Sequence, residues 1–268
     1  MGQINEKEIK QINTFISHFS SKNEILPLLL VESGSRMWGF ASLDSDFDVR
    51  GLHLTSLTTE LSISKNEEQF EYLKELMDVV SYDINKHFNL LISSNPNLLE
   101  QLQSDIVYIN NFSKFGINYK EFKKKIFSLV NLKSLFYHYI SMAHKNYDKY
   151  ILSENKFTYK KSLYVLRSLF CAKYIIEKEK VPPVIFRAVI NELNIDKKYL
   201  NFINEILEQK EKSNEKTKIE NSKVISSLIE DLFQEIESLT PKETGDKTEL
   251  MRYLNEIAIQ IKIKAYLK

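Results

Sequence analysis

The sequence has few of the residues that build covalent or metal-based scaffolds. It contains one cysteine, Cys171, one tryptophan and only six glycines in 268 residues. A single thiol excludes an internal disulfide and a structural zinc site built on cysteine ligands. Because disulfides belong to oxidising compartments, we expect a reducing, cytoplasmic setting.

Neither sign of charge dominates the chain. It carries 37 Lys and Arg against 36 Asp and Glu, for a net charge of +1. This balance argues against a uniformly basic surface that coats nucleic acid, although it is compatible with a local basic groove. No apolar run reaches the roughly 18 residues that a membrane-spanning helix requires. We therefore expect no membrane partner.

Hydrophobic spacing divides the chain into two parts. Up to about residue 110, short apolar or alternating runs at 25–31, 47–54, 76–82 and 106–109 predict strands between helices. Beyond them, nearly every segment has helical spacing. We predict an α+β fold, in which a small mixed sheet flanked by helices forms a head domain of residues 1–110. An all-helical C-terminal domain of residues 111–268 follows.

Polar residues at segment ends give local predictions. Asp83 is expected to cap the helix that follows the third strand, and Asn95 with Pro96 to begin the next helix. The charged stretch at residues 208–218 is expected to be an exposed connection.

The run LLLVESGSRMWGFASLDSDFDVR, residues 28–50, carries the chemistry. A buried strand leads directly into Gly34 and Ser35. Glycine lets the backbone approach a ligand closely, and serine offers a hydroxyl and a backbone N–H at a predicted helix start. This combination suits a phosphate group.

Asp46 and Asp48 stand two residues apart where the next strand begins, so their side chains point the same way. Two carboxylates 4 Å apart repel by about 4 kcal/mol at an effective dielectric constant near 20. A divalent cation relieves this repulsion, and hard oxygen ligands favour Mg²⁺ or Mn²⁺. Asp78 and Asp83 are the candidates for a third carboxylate. We favour Asp78, because it interrupts an apolar strand while Asp83 is explained as a helix cap.

Gly34-Ser35, ten intervening residues and the pair Asp46 and Asp48 together resemble the signature of the DNA polymerase beta-like nucleotidyltransferase superfamily. The string ESGSRMWGFASLDSDFDVRG resembles the branch of predicted nucleotidyltransferases of the RNA repair pathway. The stretches DVVSYDINKHFNLLISSNPNLLEQL and YKKSLYVLRSLFCAKYI resemble the same branch. The resemblance spans roughly residues 26–190.

The resemblance implies two Mg²⁺ ions and a nucleoside triphosphate substrate. Asp46 and Asp48 would be catalytic metal ligands, and Asp78 the third, orienting or deprotonating an acceptor hydroxyl. Gly34 and Ser35 would hold the β- and γ-phosphates.

Several cations are candidates for neutralising the triphosphate. Arg36 and Arg50 flank the motif, and either could instead pair with Glu32 or Asp44. A second set lies on one predicted helical face: Lys160, Lys161, Tyr164 and Arg167. The alternative for these residues is an ordinary solvated helix face. Trp38 either stacks on a base or packs in the core.

We therefore predict an Mg²⁺-dependent (or Mn²⁺-dependent) nucleotidyltransferase that moves a nucleoside monophosphate onto a hydroxyl and releases pyrophosphate. An RNA end, a protein hydroxyl and a small molecule remain alternatives for the acceptor. The rival hypothesis is a catalytically silent nucleotide-binding module of the same fold, acting as a regulator or binding a partner.

Overall fold

The computed structural model describes residues 4–42, 44–63, 67–153, 157–214, 217–219 and 222–267. The helices in chain order are α1 Glu6–Lys22, α2 Gly34–Trp38, α3 Leu57–Glu60, α4 Ile84–Ile92, α5 Pro96–Gln103, α6 Tyr119–Leu129, α7 Leu132–Asn146, α8 Tyr159–Lys178, α9 Phe186–Glu192, α10 Lys197–Lys212, α11 Ser222–Glu237 and α12 Lys247–Tyr266. A 3₁₀ turn covers Phe112–Phe115 and a π-helical segment covers Tyr147–Ser153. The strands are β1 Leu26–Glu32, β2 Phe47–Leu54, β3 Gln69–Lys74, β4 Met77–Asp83 and β5 Val107–Asn110.

The five strands form one mixed sheet in the order β3-β4-β2-β1-β5. β2 and β4 run parallel, and the other neighbouring pairs are antiparallel. The α+β prediction, with a small mixed sheet and a helical C-terminal part, is confirmed. The caps at Asp83 and Asn95 are confirmed as well.

The described residues belong to two compact units. One comprises residues 2–37, 46–130 and 245–268, and contains the sheet; the other comprises residues 38–45 and 131–244, and is helical. The boundary at residues 110 and 111 stays a prediction about domains. The compact units divide the chain differently, because α6 and α12 belong with the sheet.

α1 covers one face of the sheet. Its buried side chains Ile12, Ile16 and Phe19 recur at helical spacing and pack against Val49 and Val79 of the two parallel strands. Since side chains alternate along a strand, the odd-numbered residues at the start of β2 and β4 face α1 and the even-numbered ones face away from it. This alternation decides where the acidic residues lie.

Two features of the sequence analysis are corrected. β3 was not predicted, because its side chains are mostly exposed and it lies at the edge of the sheet. Of the stretch 208–218, residues 208–212 complete α10, and Lys210 is fully buried with its Nζ donating to the Ser42 hydroxyl at 2.6 Å. Residues 215 and 216 lie outside the described residues. Within the described part of the chain, no helix combines the length and apolar character needed to cross a bilayer.

Candidate active site at the start of the parallel strands

The buried strand β1 ends at Glu32, and the chain turns immediately into the short helix α2. The Ser33 N–H donates to the main-chain oxygen of Asp48 at 2.8 Å, which ties this turn to β2. Gly34 has a left-handed φ of +62°, and a Cβ there would overlap Oδ2 of Asp48. Only glycine therefore allows the backbone of the turn to approach this carboxylate so closely. Ser35 beside it is buried.

Asp48 and Asp78 lie opposite each other on neighbouring parallel strands. Both side chains are partly exposed, at 29% and 34%. The structure thus brings together the second aspartate of the motif and the favoured third carboxylate. Asp83 lies at the other end of β4, opposite His53, and its carboxylate accepts a hydrogen bond from the Asn85 N–H.

Arg50 joins the two carboxylates. Its Nη2 donates to Oδ1 of Asp48 at 3.1 Å and to Oδ2 of Asp78 at 2.6 Å. Its Nη1 donates to the main-chain oxygens of Asp78 at 2.6 Å and of Val49 at 3.1 Å. The guanidinium therefore offsets the repulsion of the paired carboxylates.

From the sequence, Arg50 was expected to contact a triphosphate, Glu32 or Asp44. The two-residue spacing between Asp48 and Arg50 already indicates a different partner. Residues two apart on a strand share a face, so Arg50 necessarily lies beside Asp48. The pairing with Asp78 depends on the register between β2 and β4, which a single sequence does not display.

Asp46 immediately precedes β2 and is partly buried. Its main-chain oxygen accepts a hydrogen bond from Nε of Arg36 at 3.2 Å. Among the residues that the structure describes, no three or more His, Cys, Asp or Glu side chains are grouped to hold a metal ion. The assignment of Asp46, Asp48 and Asp78 as metal ligands stays a prediction.

Glu32 is a fully buried carboxyl behind this turn, and sequence reasoning gave it no functional role. Tyr108 donates its hydroxyl to Oε2 at 2.5 Å, and the Asp48 N–H donates to Oε1 at 3.1 Å. Burial raises the pKa of Glu32 to about 7, although both hydrogen bonds act in the opposite direction. Its position as the last residue of an apolar strand was the one sequence feature that could have indicated a buried carboxyl.

Arg36 is held by its neighbours in this turn. Its guanidinium carbon lies 4.1 Å from the centroid of the Phe47 ring, and its Nε lies 4.0 Å from Oε1 of Glu32. The predicted alternative pairing with Glu32 is therefore present. A cation stacked on an aromatic face in this way also anchors the turn.

The remaining predicted cations belong to the helical unit. Lys160 and Lys161 are partly buried, with Nζ 6.0 Å from the Tyr164 ring centroid and 4.5 Å from that of Tyr150, respectively. Arg167 is only 2% exposed, and its guanidinium carbon lies 4.4 Å from the ring centroid of Trp38.

Trp38 also packs edge-on against Tyr164 at 5.3 Å and beside Phe40 at 5.7 Å. Its ring is therefore used for packing, which was one of the two alternatives for this residue. Contact with a nucleotide base, and a phosphate-binding role for Lys160, Lys161 and Arg167, stay predictions.

Comparisons with known proteins bear on this arrangement. The chain is 30% identical over 230 residues to the Uncharacterized protein YcgL of Bacillus subtilis, covering 85% of this chain and 86% of that protein. It is 27% identical over 197 residues to the Uncharacterized protein MJ0002 of Methanocaldococcus jannaschii, covering 65% and 77%.

A family model matches most of the chain. It describes the RNA repair pathway DNA polymerase beta family and covers residues 9–260, which include the turn at Gly34, both parallel strands and the helical unit. The resemblance seen in the motif is confirmed at the level of the family. On this match, the chain belongs to the RNA repair pathway DNA polymerase beta family.

Proposed function

We propose that the protein is an Mg²⁺-dependent (or Mn²⁺-dependent) nucleotidyltransferase, acting in a reducing, cytoplasmic setting. The carrying observation is the pairing of Asp48 with Asp78, together with the close approach of the Gly34 backbone to Asp48. It places a carboxylate pair beside a turn that suits phosphate binding. Family membership supports the same chemistry.

The chemistry of the donor set supports a divalent cation. Carboxylate oxygens are the preferred ligands of Mg²⁺, and Asp48 and Asp78 already share one cation, the guanidinium of Arg50. Asp46, Asp48 and Asp78 would hold the metal. Bound there, Mg²⁺ would neutralise developing charge on the phosphates.

The chain's own residues would position the reactants. The backbone of Gly34 and the buried Ser35 would hold the β- and γ-phosphates, while Asp78 orients the acceptor hydroxyl and accepts its proton. The hydroxyl oxygen forms a bond to the α-phosphorus as the bond to the β-phosphate oxygen breaks. Pyrophosphate leaves with that electron pair, and the nucleoside monophosphate stays on the acceptor.

We propose an RNA end as the acceptor, a choice supported by the family description and by a groove. This α1 groove, of about 780 Å³, lies between α1 and the turn joining β3 to β4. Lys7, Lys10 and Lys74 line it, together with Phe47 and Met77. Lysines beside apolar and aromatic side chains suit a single strand of nucleic acid.

The α1 groove and the carboxylate pair lie at the same end of the parallel strands. Phe47 and Met77 immediately precede Asp48 and Asp78, so the groove opens on the opposite face of the sheet. A strand in the groove would have to pass around the start of β2 and β4 to present its end to the pair.

The rival function is a catalytically silent nucleotide-binding module. The observation in its favour is that Arg50 already contacts both carboxylates and offsets one of their two negative charges. Such a module would bind nucleotide and give no transfer product.

A transfer assay tests the proposal. Purified protein is incubated with each α-phosphate-labelled nucleoside triphosphate and Mg²⁺, with bulk RNA, bulk protein or neither. We expect label in RNA, and a loss of at least about 100-fold in Asp46→Asn, because a group that stabilises transition-state charge contributes that much.

Label in protein would redirect the acceptor assignment. Full activity in Asp46→Asn would contradict the mechanism. Nucleotide binding without label in any fraction would favour the silent module.

A further inference from the structure

Arg50 is held by both parallel strands at once. One nitrogen of its guanidinium contacts Asp48 Oδ1 and Asp78 Oδ2, and the other contacts the main-chain oxygens of Asp78 and Val49. Four acceptors on two strands fix the position of a side chain that is 20% exposed. The planar fork of arginine suits this arrangement, and a lysine ammonium does not reproduce it.

A divalent cation held between Asp48 and Asp78 would draw on the two carboxylates of which Arg50 contacts one oxygen each. Mg²⁺ binds carboxylate oxygens at about 2.0–2.1 Å and demands an octahedral shell of oxygen ligands. A guanidinium nitrogen offers no lone pair to the metal, and it carries a positive charge. A cation of like charge held between the same two carboxylates would repel the guanidinium and compete with it for them.

We propose that Arg50 is a positioning residue that aligns Asp48 and Asp78 in the metal-free protein and is displaced when a divalent cation binds. This inference rests on the proposed function, because it concerns the same carboxylate pair. Arg50 keeps two like charges facing one point at the surface of the sheet, so that the ligands are aligned before metal arrives. It also weakens metal binding by competing for the pair.

The proposal predicts two opposite effects of removing the guanidinium. Arg50→Gln removes the guanidinium that contacts Asp48 and Asp78, so we expect the variant to melt at a lower temperature in EDTA. We expect it to bind Mn²⁺ about three- to tenfold more tightly, because a partly exposed ion pair no longer has to be broken. Arg50→Lys keeps a charge without the fork and should lie between wild type and Arg50→Gln.

Mn²⁺ serves as the probe, with free ion counted by electron paramagnetic resonance and melting followed by circular dichroism. Arg252→Gln is the matched control, because Arg252 is an exposed arginine on α12 of the same compact unit. It loses the same charge away from the carboxylate pair and should bind Mn²⁺ as wild type does. Asp48→Asn reports whether the bound Mn²⁺ uses the pair.

The outcomes separate this inference from the function beneath it. Tighter Mn²⁺ binding in Arg50→Gln, abolished by adding Asp48→Asn, supports displacement. If Asp48→Asn weakens Mn²⁺ binding, but Arg50→Gln and Arg50→Lys leave it unchanged or weaken it, the proposed role of Arg50 is overturned and the metal site stands. If the protein does not bind Mn²⁺, or if Asp48→Asn leaves Mn²⁺ binding unchanged, the metal site is overturned and with it the proposed function. An equal gain in Arg252→Gln would reduce the effect to overall charge and also overturn the proposal.

Discussion

The two ends of the parallel strands β2 and β4 differ in the charge and burial of their polar residues. At their start, Asp48, Asp78 and Arg50 are charged and partly exposed. At their far end, His53 and Ser81 are fully buried, with Nδ1 of His53 and Oγ of Ser81 2.8 Å apart. His87 of α4 is fully buried as well.

The difference shows what each end can do. Burial lowers the pKa of His53 to about 4 and that of His87 to about 3, so both rings are neutral near pH 7. These two histidines therefore stay uncharged inside the fold. The start keeps opposite charges in contact with water, where ions and nucleotides can reach them. The proposed catalytic site lies at the start for this reason.

Gly34→Ala would break the charged end most severely. The added Cβ overlaps Oδ2 of Asp48 and forces a left-handed residue to carry a side chain. We expect transfer to fall by about 100-fold, because misplacing a catalytic group by about 1 Å has this effect. Stability should fall by about 1–2 kcal/mol.

Gly39→Ala is the control for this change. Gly39 also has a positive φ, of +84°, but its Cβ would meet only the side chain of Ile185 at 3.4 Å. Transfer assays and urea melts on both variants separate backbone strain from displacement of Asp48. An equal loss of transfer in Gly39→Ala would contradict the close approach of Gly34 to Asp48 as the cause.

The buried end can be tested by pH. The folded-state pKa of His87 lies below the usual 6.5, so the unfolded chain binds the proton more readily. The contribution of His87 to stability is full above pH 6.5 and is lost progressively as pH falls toward about 3. We expect His87→Gln to remove about 2 kcal/mol of the loss between pH 7.5 and 4.5.

Urea unfolding of both proteins at the two pH values measures this difference. Glu32 acts with the opposite sign, because its raised pKa favours folding as pH falls through about 7 toward 4.5. Subtracting the variant from the wild type cancels that contribution. An identical pH dependence in the two proteins would mean that His87 is not held neutral by burial.

Charge reversal in the α1 groove tests whether the groove binds RNA, and we expect a smaller effect than in the preceding variants. Replacing Lys7, Lys10 and Lys74 by Glu should weaken binding of labelled single-stranded RNA about tenfold or more. The slope of log affinity against log salt should become shallower by about 2. Fluorescence anisotropy measures both quantities.

Lys120 and Lys124, exposed on α6 of the same compact unit, provide the control. Reversing them should leave RNA affinity near that of wild type. If they matter as much as the groove lysines, overall charge explains the binding and the groove has no special role.

The strands that frame this site were predictable from the sequence. Buried apolar runs mark β1, β2 and β4, and Asp83 marks the start of α4 through its capping side chain. These signals are local, because hydrophobic spacing and capping involve residues close together in the chain.

What was not predictable depends on tertiary contacts. β3 owes its position to hydrogen bonds with β4, since its exposed polar side chains give little signal. Lys210 reads as a surface lysine until Ser42 is seen beside its Nζ. Arg50 bridges two carboxylates only because β2 and β4 are neighbours in this register.

The most direct test compares the two acidic residues of β4. Asp78→Asn removes a carboxylate from the charged end, whereas Asp83→Asn removes one from the far end and keeps a side chain that caps helices well. Both variants are assayed for transfer of labelled nucleotide to RNA with Mg²⁺, and circular dichroism checks their folding. The account predicts a loss of at least about 100-fold in Asp78→Asn and activity within about twofold of wild type in Asp83→Asn. Retained transfer in Asp78→Asn, or an equal loss in a folded Asp83→Asn, would contradict it.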